Sequence, residues 1–439
     1  MNRLEHLSIN IPETGKKRVV IIGGGFAGIK LVEGLLDQDY QVVLLDKHNY
    51  HTFQPLLYQV ATAGLEPDSI AGPLRKLLKG KKDFFFRMLR VDEINPVKQC
   101  ISTPIGDIRF DYLIVASGSR TNYFGNEEIA RLAFPLKKLT DALDLRSQFL
   151  QSMEQSVMTR DPEKRQNLLN FVIVGGGPTG VEVAGALAEA RKHVLVKDYP
   201  ELDIQHLQIY LIEGADRLLN GMREKSGEKA LGYLKELGVN VKLGRIVKSY
   251  DGAVVHLDDG TEIESQTLVW AAGVQGNIIP GLNSSVDRSR YVVDAYNRIQ
   301  GYENIFAIGD VAAMKSKQWP LGHPMLAPIA MQQAENLGKN FRRKENGKSL
   351  LPFKFVDKGT MATVGRNKAV VDLPKGSFGG LFAWLVWMLV HLVSIIGFRN
   401  KLVVMSNWFW SYLTYDQGIR LIVRLFKREA TFKENKKAA

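Results

Sequence analysis

Three glycines on a G-x-G-x-x-G spacing occur twice in this chain, about 150 residues apart, and either set can receive a pyrophosphate. The first is Gly23, Gly25 and Gly28 in RVVIIGGGFAGIKLVEGL; the second is Gly175, Gly177 and Gly180 in NFVIVGGGPTGVEVAGAL. In each, the first glycine permits a tight strand-to-helix turn, the second lets backbone approach a phosphate, and the third lets helix and strand pack closely. A bound anion then rests on the unpaired N–H groups that open the helix. The sequence supplies the needed flanks, with apolar runs at residues 19–22 and 171–174 predicting the strands.

Each unit continues to a second apolar strand ending in an acid, Asp46 after QVVLL and Glu213 after IYLI. A carboxylate at that point can hydrogen-bond a ribose diol. Glu213 would repel a 2′-phosphate, which favours NADH over NADPH as a ligand. Further small-residue turns follow apolar strands at Ala116 and Gly118 (DYLIVASGS), at Ala272 and Gly273 (TLVWAAGV), and at Gly309 and Asp310 (NIFAIGDVAA). Such turns let a chain pass beside a dinucleotide, although Asp310 can also be read as a helix N-cap. Two dinucleotide sites imply a flavin that stays bound and a nicotinamide that comes and goes.

The elements that must position these residues belong to the α/β class. At 439 residues the chain is long enough for two to three domains, and 45% hydrophobic with 24% charged residues is an ordinary globular balance. The N-terminal stretch has no apolar core of a secretory signal, and no metal-ligand cluster is expected. Cys100 is the one cysteine. Disulfide-reducing flavoenzymes need a redox pair, so this flavin must pass electrons directly to an external acceptor.

The C-terminal part points to that acceptor. Residues 378–398 contain no Asp, Glu, Lys or Arg; as one helix they would run about 30 Å. Internal Trp384, Trp387, His391 and Ser394 favour a helix packed partly on protein and partly in one leaflet over a span. Beyond it, Arg420, Arg424 and Lys427 fall on one helical face opposite Ile419, Ile422, Val423 and Phe426, the pattern of an interfacial helix. From residue 399 onward nine basic residues face three acids, net +6 of the chain's +12, an attraction to anionic lipid of several kcal/mol at about 1 kcal/mol per cation. No nucleic-acid motif accompanies the charge. The expected fold is therefore α/β, with two Rossmann-like dinucleotide-binding domains plus a C-terminal amphipathic helical membrane-anchoring region.

The segments GGGFAG, HNYHTFQPLLYQVATAGL, ASGSRTNYFG, GGGPTGVEVAGAL, IGD, APIAMQQAENLGKNF and GFRNKLVVMSNWFWSYLTY carry a resemblance, over nearly the whole chain, to the single-subunit type II NADH:quinone oxidoreductases of the two-dinucleotide-domain flavoproteins. The resemblance implies FAD as cofactor, NADH as donor, a membrane quinone as acceptor and no proton pumping. It implies an FAD-binding domain in two parts, 1–125 and 301–350, an NADH-binding domain over 126–300, and a membrane-associating domain over 351–439. Asp310 would bond the FAD ribityl chain. Glu182, in the first turn of the second glycine helix, would face nicotinamide and flavin, and Gln332 would serve the quinone end. Related sequences often carry Gln where this one has Pro328, so how the quinone head is held departs from the usual pattern. The expected location is peripheral, monotopic, on the cytoplasmic face of an inner membrane, with homodimers among the admissible assemblies. A soluble NADH-dependent reductase of a small electron-carrier protein, and a redox-sensing NADH-binding protein, are the competing readings.

Overall fold

The computed structural model describes residues 7–80, 82–415, 420–422 and 425–426. They fall into two compact units: Met1–His51, Gly72–Arg120 and Val274–Val356 form the first, and Thr52–Ala71, Thr121–Gly273 and Asp357–Ala439 the second.

The first unit is built on a five-stranded parallel sheet in the order Ile305–Ala307, Tyr112–Val115, Lys17–Ile22, Tyr40–Asp46, Phe84–Met88. Its strands are apolar nearly throughout, as a parallel sheet covered on both faces requires; Val19, Val20, Ile21, Val43, Leu44 and Leu113 are wholly buried. Lys17–Ile22 feeds the helix Phe26–Leu35 through the first glycine loop. That helix crosses Ala327–Glu345 where Gly34 meets Gly338, close enough that an added Cβ on Gly338 would touch the Gly34 backbone at 3.6 Å. Pro328 lies in the first turn of Ala327–Glu345, where its missing N–H removes no helical bond.

The second unit repeats the plan: five parallel strands in the order Phe134–Pro135, Thr267–Trp270, Asn170–Val174, Gln208–Glu213, Asn240–Leu243. Asn170–Val174 feeds the helix Pro178–Ala190 through the second glycine loop. The same unit carries an antiparallel sheet of Thr360–Gly365, Lys368–Leu373 and Gly376–Gly379. Strand Thr360–Gly365 lies so close to Pro178–Ala190 that a Cβ on Gly185 would stand 1.7 Å from the Val364 carbonyl oxygen. Asp372 joins this sheet to the helix Glu224–Glu236, accepting from the Arg223 N–H at 2.5 Å and the Ser226 hydroxyl at 2.6 Å.

The apolar run 378–398 is not one 30 Å helix. It forms Leu381–Ser394, breaks, and resumes in Phe398–Thr414. Gly397 makes the turn at φ +92°, a conformation open to glycine and strained for other residues. Among the described residues no helix is long and apolar enough to cross a membrane. On the first helix Ala383 and Trp387 are buried while Phe382, Leu385, Leu389 and Val393 are exposed; on the second, Val404 is buried while Leu402, Met405, Phe409 and Leu413 are exposed. Both exposed rows follow spacings of three and four, so each helix packs one stripe on protein and offers another outward. Of the basic interfacial helix expected further on, Ile419, Val423, Arg424 and Lys427 lie outside the described residues. Arg420 pairs with Asp198 at 2.5 Å, and the Phe426 ring stands 4.8 Å from that of Phe134.

Candidate functional sites

The two glycine loops share one stereochemistry. Gly23 and Gly175 have φ of +111° and +110°, and a Cβ on either would strike the carbonyl oxygen of Ala116 or Ala271 at 2.2 or 2.5 Å. Gly28 and Gly180 leave a Cβ only 1.8 and 1.9 Å from the carbonyl oxygens of Gly23 and Gly175. Gly25 and Gly177, the N-cap residues of the two helices, face open space and have no side-chain cap. Closed positions therefore alternate with one open position beside uncapped helix amides, which fits a pyrophosphate.

Asp46 and Glu213 are engaged in a way their spacing does not announce. Asp46 accepts from the Gly24 N–H at 2.6 Å and the His48 N–H at 2.7 Å. Glu213 accepts from the Gly176 N–H and, at 2.7 Å, from the Ala215 N–H. Each acid thus clamps the middle glycine of its own loop. Buried His51 braces the first loop from the other side, its Nδ1 3.1 Å from the Gly24 carbonyl oxygen.

Ala116 is buried, and Gly118 turns at φ +68° with no neighbour crowding a Cβ. Asp310 lies in the short turn Gly309–Val311 and accepts from the Ser119 hydroxyl at 2.5 Å, a strand-crossing contact rather than a helix cap. Gly309 donates its N–H to Gln333 Oε1 at 2.7 Å. Gln333, the neighbour of the Gln332 expected at the quinone end, is the buried amide of the two; only the helix phase distinguishes them. Gln332 binds Val356 through both ends of its amide, at 3.0 and 2.9 Å. In the second unit, Gly273 accepts from Asn122 N–H at 3.1 Å beside Ala272, and the Trp270 indole donates to Asn122 carbonyl at 2.8 Å.

Glu182 is the fifth residue of Pro178–Ala190, and no acid occupies that helix's first turn. It therefore lies beyond the turn expected from sequence, because the helix opens at Pro178, and its place owes little to the helix dipole. Its side chain is buried, with Oε1 3.5 Å from the Thr363 N–H. Burial pushes the carboxyl up to about 8, against smaller opposing effects of the Thr363 N–H and the nearby Trp387 indole. The Trp387 N–H lacks hydrogen-bond geometry to any acceptor, so its influence is that of a nearby dipole. Burial thus favours the protonated carboxyl over the carboxylate.

A cavity opens beside it, walled by Tyr58, Gln59, Thr62, Glu189, Thr363, Arg366, Trp384, Trp387, Met388, Trp408 and Tyr412 among others. Two of the long sequence motifs meet here. The Trp408 indole donates to Gln59 at 2.8 Å, Asn407 to Glu66 at 2.6 Å, and Asn400 to the carbonyls of Asp68 and Ala71 at 3.2 and 3.1 Å. Gln59 of the LLYQVATAGL segment, together with Glu66, Asp68 and Ala71 just after it, thus fastens the second C-terminal helix. Cys100 is buried elsewhere, 3.9 Å from Asp107. Among the described residues no cluster of His, Cys, Asp or Glu is arranged to hold a metal.

Comparison with known proteins agrees with this arrangement. The pyridine nucleotide-disulphide oxidoreductase family matches residues 17–334, and the NDH2 C-terminal domain family matches residues 358–415. The chain is 36% identical over 422 residues to the type II NADH:quinone oxidoreductase Ndh of Mycobacterium tuberculosis, covering 92% of this chain and 89% of that protein. It is 31% identical to the type II NADH:quinone oxidoreductase of Staphylococcus aureus, covering 81% and 89%. The fold resembles that of NDH2 from Plasmodium falciparum in complex with NADH, with TM-score 0.84, 21% identity and coverage of 93% and 100%. The sulfide:quinone oxidoreductase of Aquifex aeolicus is more distant, with TM-score 0.67 and 19% identity over 90% and 94%. The duplicated glycine loops, the lone cysteine and the two-helix C-terminal module fit one family, and the chain belongs to the type II NADH:quinone oxidoreductases, FAD-containing relatives of the pyridine nucleotide-disulphide oxidoreductases.

Proposed function

We propose that the chain oxidises NADH through FAD and reduces a membrane quinone, with the first glycine loop, Asp46, Ala116, Gly118, Gly309 and Asp310 holding FAD, and the second loop, Glu213, Ala272 and Gly273 holding NADH. The observation that carries this reading is the buried Glu182 beside an aromatic-walled cavity. FAD held by these residues would supply the hydride-accepting and electron-donating chemistry between NADH and the quinone. The chain's own contribution is binding, orientation and proton supply. Glu182, whose burial favours the protonated form, can donate a proton to a reduced quinone oxygen, and Gln332 positions the segment that ends at Val356. Asp310, which accepts from the Ser119 hydroxyl, would bond the ribityl chain of FAD. Proton pumping is no part of this reading, in keeping with the type II family.

Steady-state oxidation of NADH with a short-chain quinone tests the function. The expected result is rapid turnover with NADH, far slower turnover with NADPH, and a narrower preference in Glu213→Gln, because that change removes the repulsion of a 2′-phosphate. Equal kcat/KM for both donors in the unaltered enzyme would refute the role given to Glu213. A soluble electron-carrier reductase would leave the quinone unreduced, and a redox sensor would turn over neither acceptor.

Membrane association goes with the family; attachment at the cytoplasmic face of an inner membrane, through the basic tail, and assembly as a homodimer are our proposals. The support is the pair of outward apolar rows on Leu381–Ser394 and Phe398–Thr414, with Phe382 66% and Phe398 76% exposed. Truncation from residue 378 onward should move the protein to the soluble fraction. High salt alone should leave the intact protein on vesicles, since apolar insertion is not screened; complete release by salt would reduce the attachment to electrostatics.

A further inference from the structure

Beside Glu182 the cavity holds a second carboxyl, Glu189, that the reaction as described leaves unused. It lies seven residues further along Pro178–Ala190, two turns on the same side and about 10 Å along the axis. Both acids line the same cavity, together with Tyr58, Gln59 and Arg366. Their surroundings differ in a graded way. Glu182 is 8% exposed, whereas Glu189 is intermediate in exposure. Glu189 accepts from the Arg366 N–H at 2.5 Å, and the charges of Arg366, Lys368 and Lys192 oppose the upward push that burial gives it. The buried Tyr58 hydroxyl is raised by its own burial and then by the charges of Glu182 and of Glu189, which places it within electrostatic reach of both.

The stoichiometry calls for a proton that the donor does not bring. A hydride from NADH carries two electrons and one proton; reducing a quinone to a quinol takes two electrons and two protons. One proton per turnover must come from solvent, and a buried donor such as Glu182 has to be reprotonated before the next cycle. We propose that Glu189 is the outer station of a two-carboxyl relay that takes this proton from solvent and passes it along the cavity to Glu182. The proposal rests on the quinone-reducing reading above. The axial gap of about 10 Å exceeds one hydrogen bond, so transfer runs over the Tyr58 hydroxyl or through water between the polar groups of the wall.

The test uses the full-length holoenzyme. Unaltered enzyme, Glu189→Gln and Glu189→Asp are reduced with NADH, then mixed with a short-chain quinone in a stopped-flow instrument, in H2O and D2O, with and without added imidazole. Flavin bleaching by NADH, which consumes no solvent proton, is the internal reference. Glu189→Gln should slow reoxidation by about tenfold or more, enlarge the solvent isotope effect, and regain rate when imidazole supplies a diffusible acid; Glu189→Asp should restore most of the rate. Reoxidation at the unaltered rate in Glu189→Gln, or a slowing with unchanged isotope effect and no rescue, overturns the relay and leaves Glu189 as the holder of the Arg366 backbone. Failure of the unaltered enzyme to reoxidise with any quinone would instead overturn the functional reading itself.

Discussion

Glu182→Gln is expected to slow quinone reduction by roughly tenfold to a thousandfold, the range of one well-placed polar group in a preorganised site, and at the same time to make the protein more stable in alkali. The two effects share one cause. Burial disfavours the ionised carboxylate, so the folded chain holds the Glu182 proton up to about pH 8 while an unfolded chain would release it near 4.5. The stability tied to this group is intact below the ordinary value and falls as pH rises from there toward 8, by a total on the order of 5 kcal/mol. Gln carries no charge to desolvate and escapes that loss. Melting curves of the holoenzyme should therefore show Glu182→Gln above the unaltered protein near pH 9, with the gap closing toward pH 5. An unaltered profile that is flat across this range would show that Glu182 ionises freely and does not serve as a stored acid.

The second large effect is steric. Gly185→Ala should lower the melting temperature by roughly 2–10 °C, because overpacking costs about 1–3 kcal/mol, at the upper end where backbone is the obstacle. A methyl at 185 would stand 1.7 Å from the Val364 carbonyl oxygen and 2.7 Å from its carbon. Relief requires strand Thr360–Gly365 to retreat, disturbing the Thr363 N–H beside Glu182. The matched control is Gly232→Ala in the helix Glu224–Glu236, where an added Cβ meets nothing within 4 Å. There the same change should stabilise by about 0.5–1 kcal/mol through helix propensity. Equal responses at the two positions would show that the contact with Val364 is not rigid.

What the sequence disclosed follows the range over which each requirement acts. The glycine pattern is legible because Gly28 must clear Gly23, five residues away; chain geometry alone imposes it. The positions of Asp46 and Glu213 are legible for the same reason, yet their bonds to Gly24 and Gly176 are not, since spacing shows where a carboxylate lies and not what it accepts. Which of Gln332 and Gln333 is buried is not legible, because adjacent amides on a helix differ only in phase. The cavity was illegible altogether. Trp408 and Gln59 meet across 349 residues, and nothing local in either segment specifies the other. The run 378–398 shows the converse error: an absence of charge was read as continuity, although Gly397 within it permits the backbone reversal that divides the helix.

The clamps on the glycine loops bear on how quickly and tightly a dinucleotide is captured. A loop rich in glycine has the most conformational freedom to lose when it is fixed around a ligand. Here that freedom is already spent during folding, because the Asp46 and Glu213 carboxylates hold Gly24 and Gly176 in place. Binding then costs little further ordering, and the gain appears as affinity. With FAD at the first loop and NADH at the second, as proposed, the resident flavin would gain slow escape, and a nicotinamide that leaves after every cycle would exchange without waiting for the loop to order.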